Sequence, residues 1–150
     1  MVLLTLTETQ QQEAKNLLQR IDNGEIHHPQ NIVSEWELGP SWAELEDRSG
    51  RDPFELESEK MWVDPSNILG VQGPPSRGRL PDGNDDVKTS RLEQILRKML
   101  SGKYELEYEE LPHYVKFDGS LYVTVDGRHR SLIFKALDID ELLANVTVVR

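Results

Sequence analysis

Arg128, His129 and Arg130 follow directly on Asp126-Gly127, at the end of the alternating apolar run Leu121-Tyr-Val-Thr-Val125. This spacing predicts a strand that closes at the Asp-Gly pair and a helix from about 128 to 137. Cations at a helix start oppose the partial positive charge already there, at about 0.3 to 1 kcal/mol each. An anion resolves the conflict. The first backbone N–H groups of a helix lack intrahelical partners, and a glycine lets a ligand approach the main chain. Charge-assisted hydrogen bonds of about 1.5 to 3 kcal/mol each then outweigh the dipole term. Gly127 and the following amides would cradle a phosphate, Arg128 and Arg130 would neutralise it, and His129 would add a hydrogen bond. The competing reading pairs Arg128 and Arg130 with acids such as Asp126 or Glu107, so that they only tie the hairpin to the helix.

Other residue groups carry less chemistry. His27-His28 are adjacent on a loop, point apart and have no ligand partner at helical spacing, which argues against a metal site. Glu105, Glu107, Glu109 and Glu110 alternate with Tyr104, Leu106 and Tyr108, the period of an exposed strand rather than of paired catalytic acids. Asp82, Asp85 and Asp86 would hold magnesium only beside a bound nucleotide, since loop acids are ordinarily solvated. Trp36 and Trp42 are expected to pack under irregular structure rather than to stack on a base.

The elements that must position the turn are legible in part. Thr7 and Gln10 have capping-box spacing, and Ala14, Leu17, Leu18 and Ile21 repeat at helical intervals, so a helix is expected over about 8–22. Residues 25–59 contain Pro29, Gly39-Pro40, Gly50 and Pro53 and read as irregular structure with short helical turns. Residues 61–69 read as a strand into a turn, and 70–86 as a long Gly- and Pro-rich loop. Ser90 and Glu93 suggest another capping box, ahead of the stripe Leu92, Ile95, Leu96, Met99 and Leu100, with Gly102 at the C-terminal cap position. Asp118-Gly119 between Tyr114–Phe117 and Leu121–Val125 predicts a tight hairpin, and Ala144–Val149 a last strand.

The 150 residues suit one domain, 37% hydrophobic and 29% charged, with a net charge of -10. The acid excess is N-terminal: residues 1–87 hold 7 Lys+Arg against 17 Asp+Glu, and residues 88–150 hold 10 against 10. A tight duplex-DNA binder neutralises about 6 to 10 phosphates with a basic face, so DNA is disfavoured as a partner of this chain alone. A small phosphate ligand needs only a local site. No apolar run approaches the roughly 20 residues of a membrane span, and the first nine residues have no leader pattern. The sequence contains no cysteine, which excludes disulfides and thiolate chemistry. A cytoplasmic protein is expected, with the acidic N-terminal segment available to a basic protein partner.

From Trp62 onward the order strand, arginine-containing loop, amphipathic helix, hairpin, Asp126-Gly-Arg-His-Arg130-Ser131-Leu132, helix, strand resembles the ParB/sulfiredoxin superfamily, including the ParB-like nuclease domains. The resemblance covers about residues 60–150. It implies an α+β (mixed α/β) fold, a small mixed sheet with packed helices, preceded by an acidic extension over residues 1–59. It also implies that the turn, here Gly127, Arg128, His129, Arg130 and Ser131, binds nucleotide phosphates, with Arg77 or Arg79 closing from the Gly-Pro-Pro-Ser-Arg-Gly-Arg loop. ATP, ADP or CTP, with magnesium, are the implied ligands. Arg128 stands where a sulfiredoxin has its nucleophilic cysteine, so sulfinic-acid reduction is excluded. The chain also stops after the last expected strand, without the helix-turn-helix reader of the chromosome-partitioning members. The expectation is a nucleotide-binding domain, with hydrolysis or transfer of the phosphate left open and Asp126 and His129 the candidate catalytic groups. The alternatives are a non-catalytic DNA- or protein-interaction module and a ParB-like nuclease.

Overall fold

A computed structural model describes residues 2–50, 55–72, 87–106, 111–124 and 127–149. Arg77, Arg79, Asp126, the loop acids Asp82, Asp85 and Asp86, and Glu107, Glu109 and Glu110 lie outside the described residues. Among the described residues there are four α-helices: α1 (Glu8–Asp22), α2 (Trp42–Ser49), α3 (Thr89–Leu100) and α4 (Arg128–Ala136). Six strands, β1 (Glu37–Leu38), β2 (Ser58–Val63), β3 (Ile68–Val71), β4 (His113–Phe117), β5 (Ser120–Val123) and β6 (Leu142–Val149), form one mixed sheet in the order β1-β3-β5-β4-β6-β2.

The local signals act where the sequence places them. Thr7 and Gln10 form a reciprocal capping box: the Gln10 amide donates to Thr7 Oγ1 at 3.1 Å, and the Thr7 amide to Gln10 Oε1 at 2.9 Å. Asp118 (φ 51°) and Gly119 (φ 84°) make the tight turn that sets Phe117 opposite Ser120 in the β4–β5 hairpin. Beside it, Arg48 of α2 bonds Asp118 at 2.9 Å and lies 4.7 Å from the Phe117 ring centroid.

The segment over 25–59 is more regular than expected. It carries α2, capped by Ser41 and Glu44 and closed by Gly50, and the short edge strand β1. Likewise, the turn expected after Val63 is a single 3-10 turn, Pro65–Asn67, and Ile68 opens a separate strand. β1 lies parallel to β3 so closely that a Cβ at Gly70 would sit 1.8 Å from the Glu37 carbonyl oxygen. Only glycine allows that approach.

One large core lies on the sheet face covered by α1, α3 and α4. It joins Leu4, Leu6, Ala14, Leu17 and Trp36 to Leu92, Leu96, Tyr114, Val123, Leu132, Phe134 and Val146. Each buried Leu, Val or Phe among them contributes about 1.5 to 3 kcal/mol. Residues on both sides of position 59 thus share one sheet and one core. On the opposite face Trp42 and Leu45 of α2 cover Val115, Tyr122 and Val149. Trp36 and Trp42 are both buried, at 5% and 8% exposure, so neither of these two presents a face for a base.

α3 departs from expectation at its start. Its apolar stripe is buried as predicted, and Gly102 takes φ +73° just past its end. The helix begins at Thr89, however, with Lys88 as its cap residue and no side-chain capping bond. Ser90 therefore lies inside the first turn, and Glu93 turns forward to Arg97 at 2.8 Å instead of back to a cap. No helix among the described residues is long and apolar enough to cross a membrane.

Candidate anion-binding site

β5 delivers the chain to Gly127, whose φ of +107° is left-handed and whose residue caps α4. A Cβ here would lie 2.5 Å from Pro112 Cβ, so the turn is packed directly on the residue that leads into β4. Conformation and space both call for glycine. Beneath the turn, the Ser131 hydroxyl donates to the Gly127 carbonyl at 2.6 Å, and the Ser131 amide donates to the same oxygen at 2.8 Å. Since the Ser131 hydroxyl has spent its proton, the Tyr114 O–H, 2.6 Å away, is the donor to Ser131 Oγ. Ser131 is fully buried, and its hydroxyl supports the turn from below rather than facing a ligand.

The second element at the site was not expected. The backbone amide of Lys88, at the start of α3, donates to His129 Nε2 at 3.0 Å. Lys88 and Arg91 thereby join Arg128 in acting on the imidazole. Burial first, then Arg128, Arg91 and Lys88, push the His129 pKa down to about 4. The histidine counted with the arginines as positive charge is neutral at pH 7. With Nε2 accepting, the neutral ring carries its proton on Nδ1 and can donate from there. It is not placed to act as a base through Nε2, which already holds the Lys88 amide.

A cavity of about 150 Å³ opens between the two helix starts, lined by Arg91, Ile95, Leu111, Pro112, Gly127, His129 and Arg130. No carboxylate is among its described lining residues. Arg130 is only 8% exposed, which confines its guanidinium to the cavity wall. Two helix N-termini and the cationic side chains of Arg91 and Arg130 converging on one small space make a region of positive potential. The arrangement can bind a compact oxyanion and lower the barrier to charge build-up on it; it supplies no evident nucleophile from its described residues.

Of the residues expected from the sequence, Gly127, Arg128, His129 and Arg130 lie together at this turn, with Ser131 behind them. Asp126, Arg77 and Arg79 fall outside the described residues, as does Glu107, one of the acids that the competing reading pairs with the arginines. Lys88 and Arg91 were missed, although Lys88-Thr-Ser-Arg91 shows the same signal as Gly127-Arg-His-Arg130, cations where a helix begins. Among the described residues no group of three or more His, Asp or Glu is placed to hold a metal ion. The His27 and His28 rings lie 6.4 Å apart and tilted by 59°.

Comparison of the chain with protein-family models, with curated proteins and with solved structures finds no match. The class defined by fold and site is a mixed α/β protein, with four helices and a six-stranded sheet among the described residues and a cavity walled by Arg91 and Arg130 between the starts of two helices.

Proposed function

We propose that the protein binds a phosphate-bearing nucleotide at the turn of residues 127–130, in the manner of a ParB/sulfiredoxin-like domain, with ATP, ADP and CTP the first ligands to try. The observation that carries the reading is that Arg91 of α3 and Arg130 of α4 wall one cavity at the Gly127 turn, whose described lining includes no carboxylate, while Lys88 and Arg128 act on the His129 imidazole beside them. A phosphate there would gain charge-assisted hydrogen bonds from the cationic side chains of the cavity wall. Gly127 would let the ligand reach the first amides of α4, Arg91 and Arg130 would grip its oxygens, and His129 would donate from Nδ1. Hydrolysis or transfer would need a carboxylate to hold magnesium or take a proton, and Asp126, adjoining the turn, is the candidate.

Calorimetry with ATP, ADP, CTP and GTP tests the reading on the wild-type chain and on Arg91→Gln, an exposed position whose change leaves the core intact. Loss of one charge-assisted contact predicts a drop in affinity of about ten- to a hundredfold. Failure of the wild-type protein to bind any of the four would remove the proposal.

A further inference from the structure

The cavity at the Gly127 turn has a neighbour. A second one, of about 230 Å³, is lined by Arg91, Gln94, Ile95, Lys98, Tyr104 and Arg130. Arg91, Ile95 and Arg130 wall both cavities, so the two adjoin across these side chains. Arg91, Gln94 and Lys98 stand at i, i+3 and i+7 on α3 and therefore share one face of the helix. From Arg91 to Lys98 the helix rises about 10.5 Å, which carries cationic side chains well beyond the reach of a single phosphate at Gly127. Lys98 itself lies over the Tyr104 ring, 5.9 Å from its centroid, and Tyr104 is fixed in turn against Phe134 at 5.8 Å.

We infer that the second cavity is an anion subsite continuous with the first, and that the ligand is a condensed phosphate chain running from the Gly127 turn past Arg130 and Arg91 to Lys98. The inference rests on the phosphate-binding reading above and names the class of ligand. Of the six described residues lining the second cavity three are cations and none is a carboxylate, a lining suited to phosphoryl oxygens. A nucleobase would want broad apolar or aromatic faces, and Tyr104 offers little of its ring at 2% exposure. A nucleic-acid strand would continue past the site onto a molecule carrying 27 acids against 17 bases, which repels it. A lone orthophosphate would occupy one cavity and would not span from the Gly127 turn to Lys98.

Calorimetry with orthophosphate, pyrophosphate and tripolyphosphate, and with AMP and ATP, tests this on wild type, Lys98→Gln and Lys60→Gln. Lys60, exposed on β2, controls for the simple loss of one positive charge. The wild-type protein is expected to hold tripolyphosphate about tenfold or more tighter than orthophosphate. Lys98→Gln should abolish that gain and leave orthophosphate binding unchanged, and Lys60→Gln should alter neither. ATP binding tighter than tripolyphosphate identifies the chain as part of a nucleotide, and equal binding identifies free condensed phosphate; both uphold the subsite. A gain that survives Lys98→Gln, or tripolyphosphate no tighter than orthophosphate, overturns the subsite while anion binding at the turn stands. Absence of binding by every phosphate overturns both.

Discussion

The backbone amide of Lys88 donates to Nε2 of His129 at 3.0 Å, and this bond fastens the start of α3 to the start of α4 across 41 positions of sequence. Two helix N-termini with their cations are thus turned toward a single cavity. The imidazole serves as a neutral acceptor at the junction, which spares the cluster a further charge. A lysine or arginine there could not accept the bond, since neither has a lone pair to offer.

Stability is expected to fall on mild acidification, and His129 sets the window. Its folded pKa, about 4, lies below the ordinary value of 6.5, so the unfolded chain binds the proton first. The contribution of the neutral ring is complete above about pH 6.5 and is lost as pH drops from there toward 4. Solvent screening at this half-buried ring limits the loss to about 1 to 2 kcal/mol. His113, whose pKa is lowered by burial, adds in the same direction. Urea unfolding at several pH values between neutrality and 4 measures the slope, which should be shallower in His129→Gln. Equal slopes in the two proteins would mean that the ring is not held neutral.

Gly127→Ala should be costly and Gly50→Ala mild, though both glycines have positive φ. At Gly50 nothing lies within 4 Å of an added Cβ, leaving only conformational strain of about 1 kcal/mol. At Gly127 the Cβ would meet Pro112 Cβ at 2.5 Å, and overpacking adds to strain for a total of about 2 to 4 kcal/mol. Denaturant midpoints of the two variants check the order. A Gly127→Ala variant no less stable than Gly50→Ala would show that the turn is not clamped on Pro112.

Much of this arrangement is written locally. Helix α1 announces itself through Thr7 and Gln10, the hairpin through Asp118-Gly119, and α4 through the change from alternating to helical apolar spacing. What escaped is set by distant partners. β1 has only two residues, and it pairs because Gly70 lets Glu37 close in. Ile68 continues no pattern from β2, and it becomes a strand by lying parallel to β5. Ser90 and Glu93 match a capping box, yet with Lys88 tied to His129 the helix starts two residues earlier, at Thr89. At the site the cluster of charges was legible and the protonation of its histidine was not. Whether this imidazole is charged depends first on burial, then on adjacent Arg128 and on Arg91 and Lys88 from a distant stretch of chain, and neither the burial nor the distant pair is recorded in local spacing.

The proton order in the chain Tyr114, Ser131, Gly127 yields an asymmetric prediction. Burial holds the Tyr114 phenol above its ordinary pKa, so it stays protonated and donates to Ser131, which donates to the Gly127 carbonyl. Tyr114→Phe removes the first donor and leaves Ser131 bonded to Gly127, at a cost of about 0.5 to 1.5 kcal/mol. Ser131→Ala strands a buried phenol without its acceptor and should cost more, about 1 to 3 kcal/mol. In the double variant that stranding is gone, so its loss should be less than the sum of the two. Because the Ser131 hydroxyl points under the turn and not into the cavity, phosphate affinity of a folded Ser131→Ala protein should change less than about threefold, against about tenfold or more for Arg91→Gln. Additive costs in the stability cycle would contradict the donor order. A Ser131→Ala affinity loss as large as that of Arg91→Gln would instead place the hydroxyl on the ligand.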